Sequence, residues 1–355
     1  MISFENPLMV TEVSRVFAIL AISFAVAMIL TPLLTHFLYK YKIGKQIRDD
    51  GSSPVFTALH KKKEGTPTMG GLLIWIVVPF LAILFWLFFG FESELTSQSL
   101  NFLNRSQTWL PLGMLVLAGI VGALDDLMGV FKIGPKGGGL GIKERLLLFS
   151  FVATIGALWF YFKLDWDMIH IPAIGDFFIG IWYIPLFILV IVATSFSLNE
   201  TDGLDGLAGG VILPAFGVFG AIAFVQGKVE LAMFCAAITG TLLAFLWFNV
   251  HPARFYMGDT GSMALGVTIG VVAMLTNSFL ILPFVCFILV IESLSVIIQL
   301  ASKKFRGKKV FRSAPIHHHF EALGWPECKV TMRFWIIAWV MAAIGLVIGL
   351  MGMGK

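Results

Sequence analysis

Charged residues are scarce in this sequence: only 13% of its 355 residues are Asp, Glu, Lys or Arg. A soluble domain carries about 25% charged residues. Because 58% of the chain is hydrophobic, this scarcity excludes an ordinary soluble protein and predicts a polytopic membrane protein. The net charge of +4 does not indicate a nucleic-acid partner, since membrane proteins collect Lys and Arg on their cytoplasmic side.

Cysteine is also rare, which excludes a disulfide-stabilised protein and a protein with a cysteine metal site. Cys235, Cys286 and Cys328 show no CxxC spacing, and two of them fall in apolar runs. We interpret them as packing residues, neither a disulfide framework nor metal ligands. The N-terminal stretch MISFENPLMVTEV holds two acids and no basic segment, which is not the pattern of a cleaved signal peptide.

Long apolar runs, by contrast, recur along the whole chain and are long enough to span a bilayer. They predict about ten transmembrane helices and leave no room for a soluble domain. We therefore expect an all-α polytopic integral membrane protein with a single transmembrane domain over residues 1–355. The predicted spans are 14–38, 70–89, 109–128, 145–163, 179–198, 209–226, 231–248, 262–277, 279–302 and 333–351.

The distribution of Lys and Arg predicts how these spans are oriented. If the N-terminus lies outside, the loops on the inner side contain 20 of the 25 basic residues. Since basic residues concentrate on the cytoplasmic side, we expect both termini to lie outside. The inner loops are then about 39–69, 129–145, 199–208, 249–261 and 303–333.

Most of the polar motifs fall on this inner side. They are KKKEGTPTMGG at 61–71, the Asp pair at 125–126, NETDGLDGL at 199–207, MGDTGS at 257–262 and APIHHHFE at 314–321. Motif-rich segments at one membrane face indicate one shared site there. We therefore predict an active site on the cytoplasmic face.

The acids of these motifs are candidates for binding a cation. Two carboxylates beside lipid need a cation or a proton, and adjacent helical positions project about 100° apart, so Asp125 and Asp126 predict separate partners. The alternative is a pair of interfacial acids in water beside Lys132. Asp202 and Asp205, spaced i, i+3, share a face if they lie on a helical turn, although Asp and Gly are also common in plain turns.

Asp259 and the histidine triplet each allow two interpretations. Asp259 directly precedes an apolar run, where it is a helix N-cap, a metal ligand or both. His317, His318 and His319 are predicted to lie in a loop and lack the HxxxH spacing of a helical metal site. Imidazoles near an anion are the functional hypothesis, and a solvated loop is the alternative.

Glu292 provides the main argument for a different class of protein. It lies inside the apolar run FVCFILVIESLSVIIQ, and an intramembrane acid is a functional candidate by default. As a proton relay it would indicate a transporter, with Gln299 on the same face near the inner surface. Transporters, however, place polar groups near the bilayer midplane and often show repeated halves. This sequence shows no repeat, and its motifs crowd one face, which favours an enzyme.

Seven segments in a fixed order carry a resemblance to a known family. IRDDG, GTPTMGG, GALDD, TDGLDGLAGG, MGDTGS, ESLSVIIQ and APIHHHFEALGWPE resemble the phospho-N-acetylmuramoyl-pentapeptide transferase branch of the polyprenyl-phosphate N-acetylhexosamine-1-phosphate transferases. The match covers nearly the whole chain. TDGLDG and the paired Asp are shared across that superfamily, whereas PTMGG and APIHHHFE are more specific to the branch.

The resemblance implies an architecture, a location and a reaction. The architecture is ten transmembrane helices with both ends outside, in the bacterial inner membrane, and the resemblance also implies a homodimer. In the implied reaction, phospho-MurNAc-pentapeptide passes from UDP-MurNAc-pentapeptide to undecaprenyl phosphate, which gives lipid I and UMP. The alternative donor within the superfamily is UDP-N-acetylglucosamine, against which PTMGG and APIHHHFE argue.

The resemblance also implies roles for individual residues. It makes Asp259 the ligand of a Mg²⁺ cofactor and Asp125 the group that deprotonates or positions the lipid phosphate, with Asp126 beside it. Tyr256 matches an aromatic position that stacks on uracil. The substrate-binding residues that it implies are Lys63, Asn199, Asp202, Asp205, Tyr256, His318 and His319. We add Gln299 and His317, from their places in the apolar run and the histidine triplet, to the predicted substrate-binding set.

The sequence departs from the family pattern at three positions. Phe196 stands where the family commonly carries Asn, and Glu200 stands where it carries Leu. Gly129 falls at the spacing of a Lys that usually follows the Asp pair. We expect either that Lys132 replaces this lysine or that the site uses fewer cations.

Overall fold

The computed structural model describes residues 7–41, 43–44, 65–89, 100–103, 107–134 and 138–351. Within these ranges the chain is helical almost throughout. The helices are α1 (Pro7–Lys40), α2 (Leu72–Phe89), α3 (Trp109–Val130), α4 (Ile142–Lys163), α5 (Tyr183–Thr201), α6 (Leu207–Val225), α7 (Val229–Asn249), α8 (Gly258–Leu275), α9 (Leu282–Val285), α10 (Phe287–Arg306), α11 (Ile316–Ala322) and α12 (Glu327–Met351).

Most of these helices are suited to cross a membrane. In the described part of the chain, eight are long and apolar enough, and a ninth span forms if the bent pair Phe279–Val285 and Phe287–Arg306 is counted as one. Helix α2 is apolar but shorter, and it lies where the span 70–89 is predicted. The fold is therefore that of a polytopic helical membrane protein.

The predicted span 279–302 is not one continuous helix. A 3₁₀ turn over Phe279–Ile281 leads into α9, and the axis then bends by 83° before α10. Pro283 lies in the first turn of α9, a position that needs no backbone donor. Cys286, with ψ of 35°, separates the two helices.

A two-stranded antiparallel sheet is a second departure, because the sequence predicts an all-α protein. Strand β1 (Met168–Ile171) pairs with β2 (Gly175–Phe178) on the connection between α4 and α5. Ala173 and Gly175 have positive φ in the tight turn. The backbone amide of His170 donates to Oδ1 of Asn277 at 3.0 Å, so the hairpin is attached to the end of α8.

Helix α8 is the centre of the bundle, and 94% of its residues are buried. It packs along α3 at a very short distance, because a Cβ added to Gly122 would lie 2.2 Å from the carbonyl oxygen of Asp259. Gly71 is equally close to Gly261 of α8. These glycine contacts bring the Asp pair of α3 directly beside the first turn of α8.

Candidate active site at the start of helix α8

The first turn of α8 is the point at which the polar motifs converge. Gly258 has φ of +72°, a conformation that favours glycine, and Asp259 follows it in the first helical turn. The N-cap residue is Met257, so the expectation that Asp259 caps the helix is wrong. A carboxylate in this turn is still stabilised by the free N–H groups of the helix N-terminus.

Asp125 and Asp126 have separate partners, as their angular separation predicts. Oδ2 of Asp126 accepts hydrogen bonds from the amide and the hydroxyl of Thr260, at 2.9 and 2.7 Å. Thr68 donates to Oδ1 of Asp126 at 3.3 Å. Asp125 is 1% exposed and accepts from the amide of Leu140 at 2.6 Å. Both acids are thus fixed by backbone and hydroxyl groups, not left in water.

Within the described part of the chain, Arg145 is the cation of this site, and sequence reasoning missed it. Arg145 lies in the first turn of α4. Its guanidinium contacts side chains of α3, α5 and α8. Nε lies 2.7 Å from Oδ2 of Asp125, and Nη2 lies 2.7 Å from Oδ2 of Asp259. Nη1 donates to Oδ1 of Asn199 at 3.0 Å. Lys132 is exposed, so Arg145 and not Lys132 provides positive charge beside the carboxylates.

Residues 199–202, here called the Asn199 segment, add further polar side chains to the carboxylate site from the end of α5. The side-chain Nδ2 of Asn199 donates to Oδ1 of Asp259 at 2.6 Å and to the hydroxyl of Ser262 at 3.0 Å. Glu200, one of the departures from the family pattern, interacts electrostatically with Arg145 and Asp259. Oδ2 of Asp202 accepts from the amide of Gly258 at 3.0 Å. This segment therefore fixes both the side chain of Asp259 and the turn before it.

The donor set fits a hard divalent cation. Asp259 interacts electrostatically with both Asp125 and Asp126, so three carboxylates share one small region. Oδ2 of Asp125 is buried, and its charge is offset by the ion pair with Nε of Arg145. Mg²⁺ is bound by carboxylate oxygens of this kind, with water and substrate phosphates completing its shell.

The histidine triplet lies on the short helix α11, so the predicted loop is wrong. Pro315 precedes it as N-cap, and each imidazole has its own partner. Nδ1 of His317 lies 2.9 Å from Oε2 of Glu292, and Nδ1 of His318 lies 2.6 Å from Oε2 of Glu321. His319 accepts at Nδ1 from the amide of Arg312 at 3.1 Å.

The environment of His317 favours its charged form. Burial lowers the pKa of His317, but attraction and hydrogen bonding from Glu292 outweigh burial, so the net pKa lies above its usual value. Glu200 also attracts His317. The acid that the sequence associates with a proton relay is therefore the partner of a histidine from the APIHHHFE motif.

Asp202 and Asp205 do not share a helical face, because α5 ends at Thr201 and the chain turns. Oδ2 of Asp205 accepts from the amide of Ala253 at 3.1 Å and lies 2.8 Å from Nδ1 of His251. Glu327 accepts from the amide of Asp205 at 2.6 Å. Asp205, His251 and Glu327 thus form a second polar group, whose candidate ligand atoms lie within 4.8 Å of one another.

The remaining predicted residues have mostly structural contacts here. Oε1 of Gln299 accepts from the amides of Val310 and Phe311, each at 3.0 Å, so this side chain shapes the loop after α10. Tyr256 is half-buried, and its amide donates to the carbonyl of Pro67. Lys63 lies outside the described residues. Their roles in substrate binding stay predictions.

Comparison with known proteins supports one family. The model of glycosyl transferase family 4 matches residues 108–277, and signature 1 of the phospho-N-acetylmuramoyl-pentapeptide-transferases matches residues 63–74. The transferase of that name from Chloroflexus aggregans is 35% identical over 96% of this chain and 91% of its own length. The one from Shouchella clausii is 41% identical over 93% of this chain and 96% of its own length.

The relative from Dichelobacter nodosus is 40% identical over 88% of this chain and 86% of its own length, and it has the same name. The two family matches include Thr68, the Asp pair, the Asn199 segment and the first turn of α8. These are the elements that the structure brings together around Arg145. The chain belongs to the phospho-N-acetylmuramoyl-pentapeptide transferase family.

Proposed function

We propose that this protein is a Mg²⁺-dependent phosphoglycosyl transferase of peptidoglycan synthesis. It transfers phospho-MurNAc-pentapeptide from UDP-MurNAc-pentapeptide to undecaprenyl phosphate and releases lipid I and UMP. The relatives named after this transfer, similar over nearly their whole length, support the proposal. The observation that carries it in the structure is the meeting of Asp125, Asp126 and Asp259 at the start of α8.

The reaction exchanges one P–O bond for another. A phosphate oxygen of the lipid attacks the sugar-side phosphorus of the diphosphate, that phosphorus loses its bond to the bridging oxygen, and the bridging oxygen leaves with UMP. Both substrates are anionic, so the site must offset negative charge as they approach. Mg²⁺, when bound, would neutralise the diphosphate and assist departure of UMP. Asp259 would hold it, since Asn199 and Arg145 anchor its two oxygens at the start of α8.

Within this site, Asp125 is proposed to receive the proton of the lipid phosphate or to orient that phosphate. Its position near the C-terminal end of α3, which is the proposed cytoplasmic end, suits a substrate whose phosphate is tethered to the bilayer. Asp126 contacts Thr260 and Thr68 and so is proposed to hold the first turn of α8 against α3. Arg145 keeps Asp125 and Asp259 at a fixed separation through its planar guanidinium.

The same proposal covers the setting of the enzyme. With α2 and the bent pair counted as spans, the chain crosses the bacterial inner membrane ten times, with both termini outside and the site on the cytoplasmic face. The excess of Lys and Arg in the inner loops supports this orientation. A homodimer is part of the proposal by family resemblance.

Release of UMP by purified protein tests the function directly. The reaction contains undecaprenyl phosphate, Mg²⁺ and one nucleotide sugar, either UDP-MurNAc-pentapeptide or UDP-N-acetylglucosamine. We expect UMP only with UDP-MurNAc-pentapeptide. Release of UMP only with UDP-N-acetylglucosamine would overturn the proposed donor, and no release with either donor would overturn the enzyme hypothesis.

Asp259→Asn tests the proposed metal ligand. Asparagine keeps the shape and loses the negative charge, so we expect turnover to fall by about a hundredfold or more while the thermal unfolding temperature stays close to that of the parent protein. The measurement is UMP release across a Mg²⁺ titration. Asp176→Asn, in the β-hairpin on the other side of the bundle, is the matched control. Unchanged Mg²⁺ dependence in Asp259→Asn would refute the assignment.

A further inference from the structure

Glu292 is a buried acid that the proposed reaction does not use. It lies in α10, in the apolar segment that follows the 83° bend, and it is 0% exposed. Its Oε2 lies 2.9 Å from Nδ1 of His317, which is also 0% exposed. A fully buried carboxylate is costly to retain unless it is paired or has a function. The role of Glu292 is therefore expected to depend on its pairing with His317.

Each member of this pair has a second polar atom with no hydrogen-bond partner. Within the described residues these atoms are Oε1 of Glu292 and Nε2 of His317. Buried polar atoms of native proteins are nearly always hydrogen-bonded, so an unpaired one calls for an explanation. Two such atoms in one fully buried pair indicate that the pair has a role beyond packing.

The free nitrogen of His317 faces the loop between α5 and α6. A Cβ added to Gly203 would lie 2.2 Å from Nε2 of His317, so only glycine allows the ring this approach. Gly203 follows Asp202, which contacts the start of α8. The imidazole thus contacts Glu292 through Nδ1, and its Nε2 points toward the segment that supports the carboxylate site.

Among the residues that the structure describes, the charges around His317 are negative except for a neighbouring histidine. Glu292 faces it from α10, Glu200 from the end of α5, and Glu321 from its own helix. His318, whose ring centroid lies 4.0 Å away, is itself paired with Glu321. Because a carboxylate accepts from Nδ1, the Nδ1 proton is fixed there, and a charged ring must then carry its second N–H at Nε2.

We propose that Glu292 is a positioning residue that holds the charged ring of His317 against the turn at Gly203, so that its positive charge acts through this turn on the diphosphate of the nucleotide sugar. This inference rests on the proposed function and adds a residue to it. Glu292 touches no substrate and acts only through the histidine. It also accounts for an acid within an apolar helix without a transport function.

Glu292→Gln is the variant that tests the proposal. Glutamine keeps the size of the side chain but removes the charge that favours the imidazolium form. We expect the KM for the nucleotide sugar to rise about tenfold, with the KM for undecaprenyl phosphate unchanged. Glu292→Asp should recover part of the affinity. Ser293→Ala, which removes a neighbouring contact of α10 with Ser197, is the matched control and should match the parent in both KM values.

The pH profile gives a readout that a merely structural role would not move. Glu292 raises the pKa of His317, so its removal lets the opposing effect of burial lower that pKa. Activity that needs the charged ring is then lost at a lower pH, and the alkaline limb of kcat/KM shifts downward in Glu292→Gln. An unshifted profile together with an unchanged KM for the nucleotide sugar would overturn the proposal.

A second variant keeps the test valid if Glu292→Gln folds poorly. His317→Gln retains a donor near the Nε2 position and does not depend on a charge from Glu292. In this background Glu292→Gln should cause no further rise in KM, whereas independent additive effects would contradict positioning through the histidine. Failure of the parent protein to release UMP would refute the proposed function, and a normal Glu292→Gln in an active protein would refute only this inference.

Discussion

At the scale of single residues, the site depends on one guanidinium that contacts partners far apart in the chain. Arg145 is 54 residues from Asn199 and 114 residues from Asp259. Arginine suits this place because its planar group donates in several fixed directions at once, whereas a lysine ammonium is a single point charge. The carboxylates could be predicted from their motifs. Arg145 could not, because no local pattern marks a basic residue whose acceptors lie on three other segments.

Arg145→Lys tests whether this geometry matters beyond charge. We expect kcat/KM to fall by at least about tenfold, because one ammonium cannot contact Asp125, Asp259 and Asn199 together. Arg145→Gln should lose more, since it also removes the one cation that the described residues place beside the buried Asp125. UMP release measures both. Lys143→Gln, at an exposed position in the same turn, is the control, and parent-like activity in Arg145→Lys would contradict the bridging role.

At the scale of helices, sequence and structure agree where one apolar run makes one helix and disagree where the chain breaks. The segment 279–302 is apolar throughout, so its composition indicates a single span, and the 83° bend depends on how α9 and α10 pack against α12 and α5. The β-hairpin is likewise not predicted by the sequence, since each strand has only four residues. Such short elements are stabilised by tertiary contacts, which local patterns do not encode.

The close approach of α3 and α8 yields a prediction about one methyl group. Gly122→Ala places a Cβ 2.2 Å from the carbonyl oxygen of Asp259, so the two helices must separate. We expect a destabilisation of about 1–3 kcal/mol, as for other overpacked cores, and a loss of activity because Asp125 and Asp126 move away from Asp259. Thermal unfolding and UMP release provide the measurements.

The matched control for this prediction is Gly113→Ala in the same helix. A Cβ at Gly113 meets nothing within 4 Å, so this substitution should leave activity unchanged and slightly favour the helix. If Gly122→Ala behaved like Gly113→Ala, the close contact would not be what aligns the Asp pair with α8.

At the scale of the whole molecule, the sequence predicts the helical membrane fold well, because bilayer thickness limits the length of every span. It also predicts that the motifs meet, since the alternating loops place them on one side. The sequence does not predict that the motif residues separate into two polar groups. Asp205 contacts His251 and Glu327, whereas Asn199 contacts Asp259, and this separation depends on how the loop between α5 and α6 turns at Gly203 and Gly206.

The orientation of the molecule can be tested with its own cysteines. Cys235 and Cys286 are buried, whereas Cys328 is partly exposed at the start of α12, next to the Glu327 of the Asp205 group. The experiment adds a membrane-impermeant maleimide to protoplasts or spheroplasts. If this side is cytoplasmic, Cys328 should be labelled only after the membrane is permeabilised. Ile174→Cys, in the exposed turn of the β-hairpin, should be labelled without permeabilisation. The reverse pattern would place the carboxylate site on the outer face, where a cytoplasmic nucleotide sugar could not reach it.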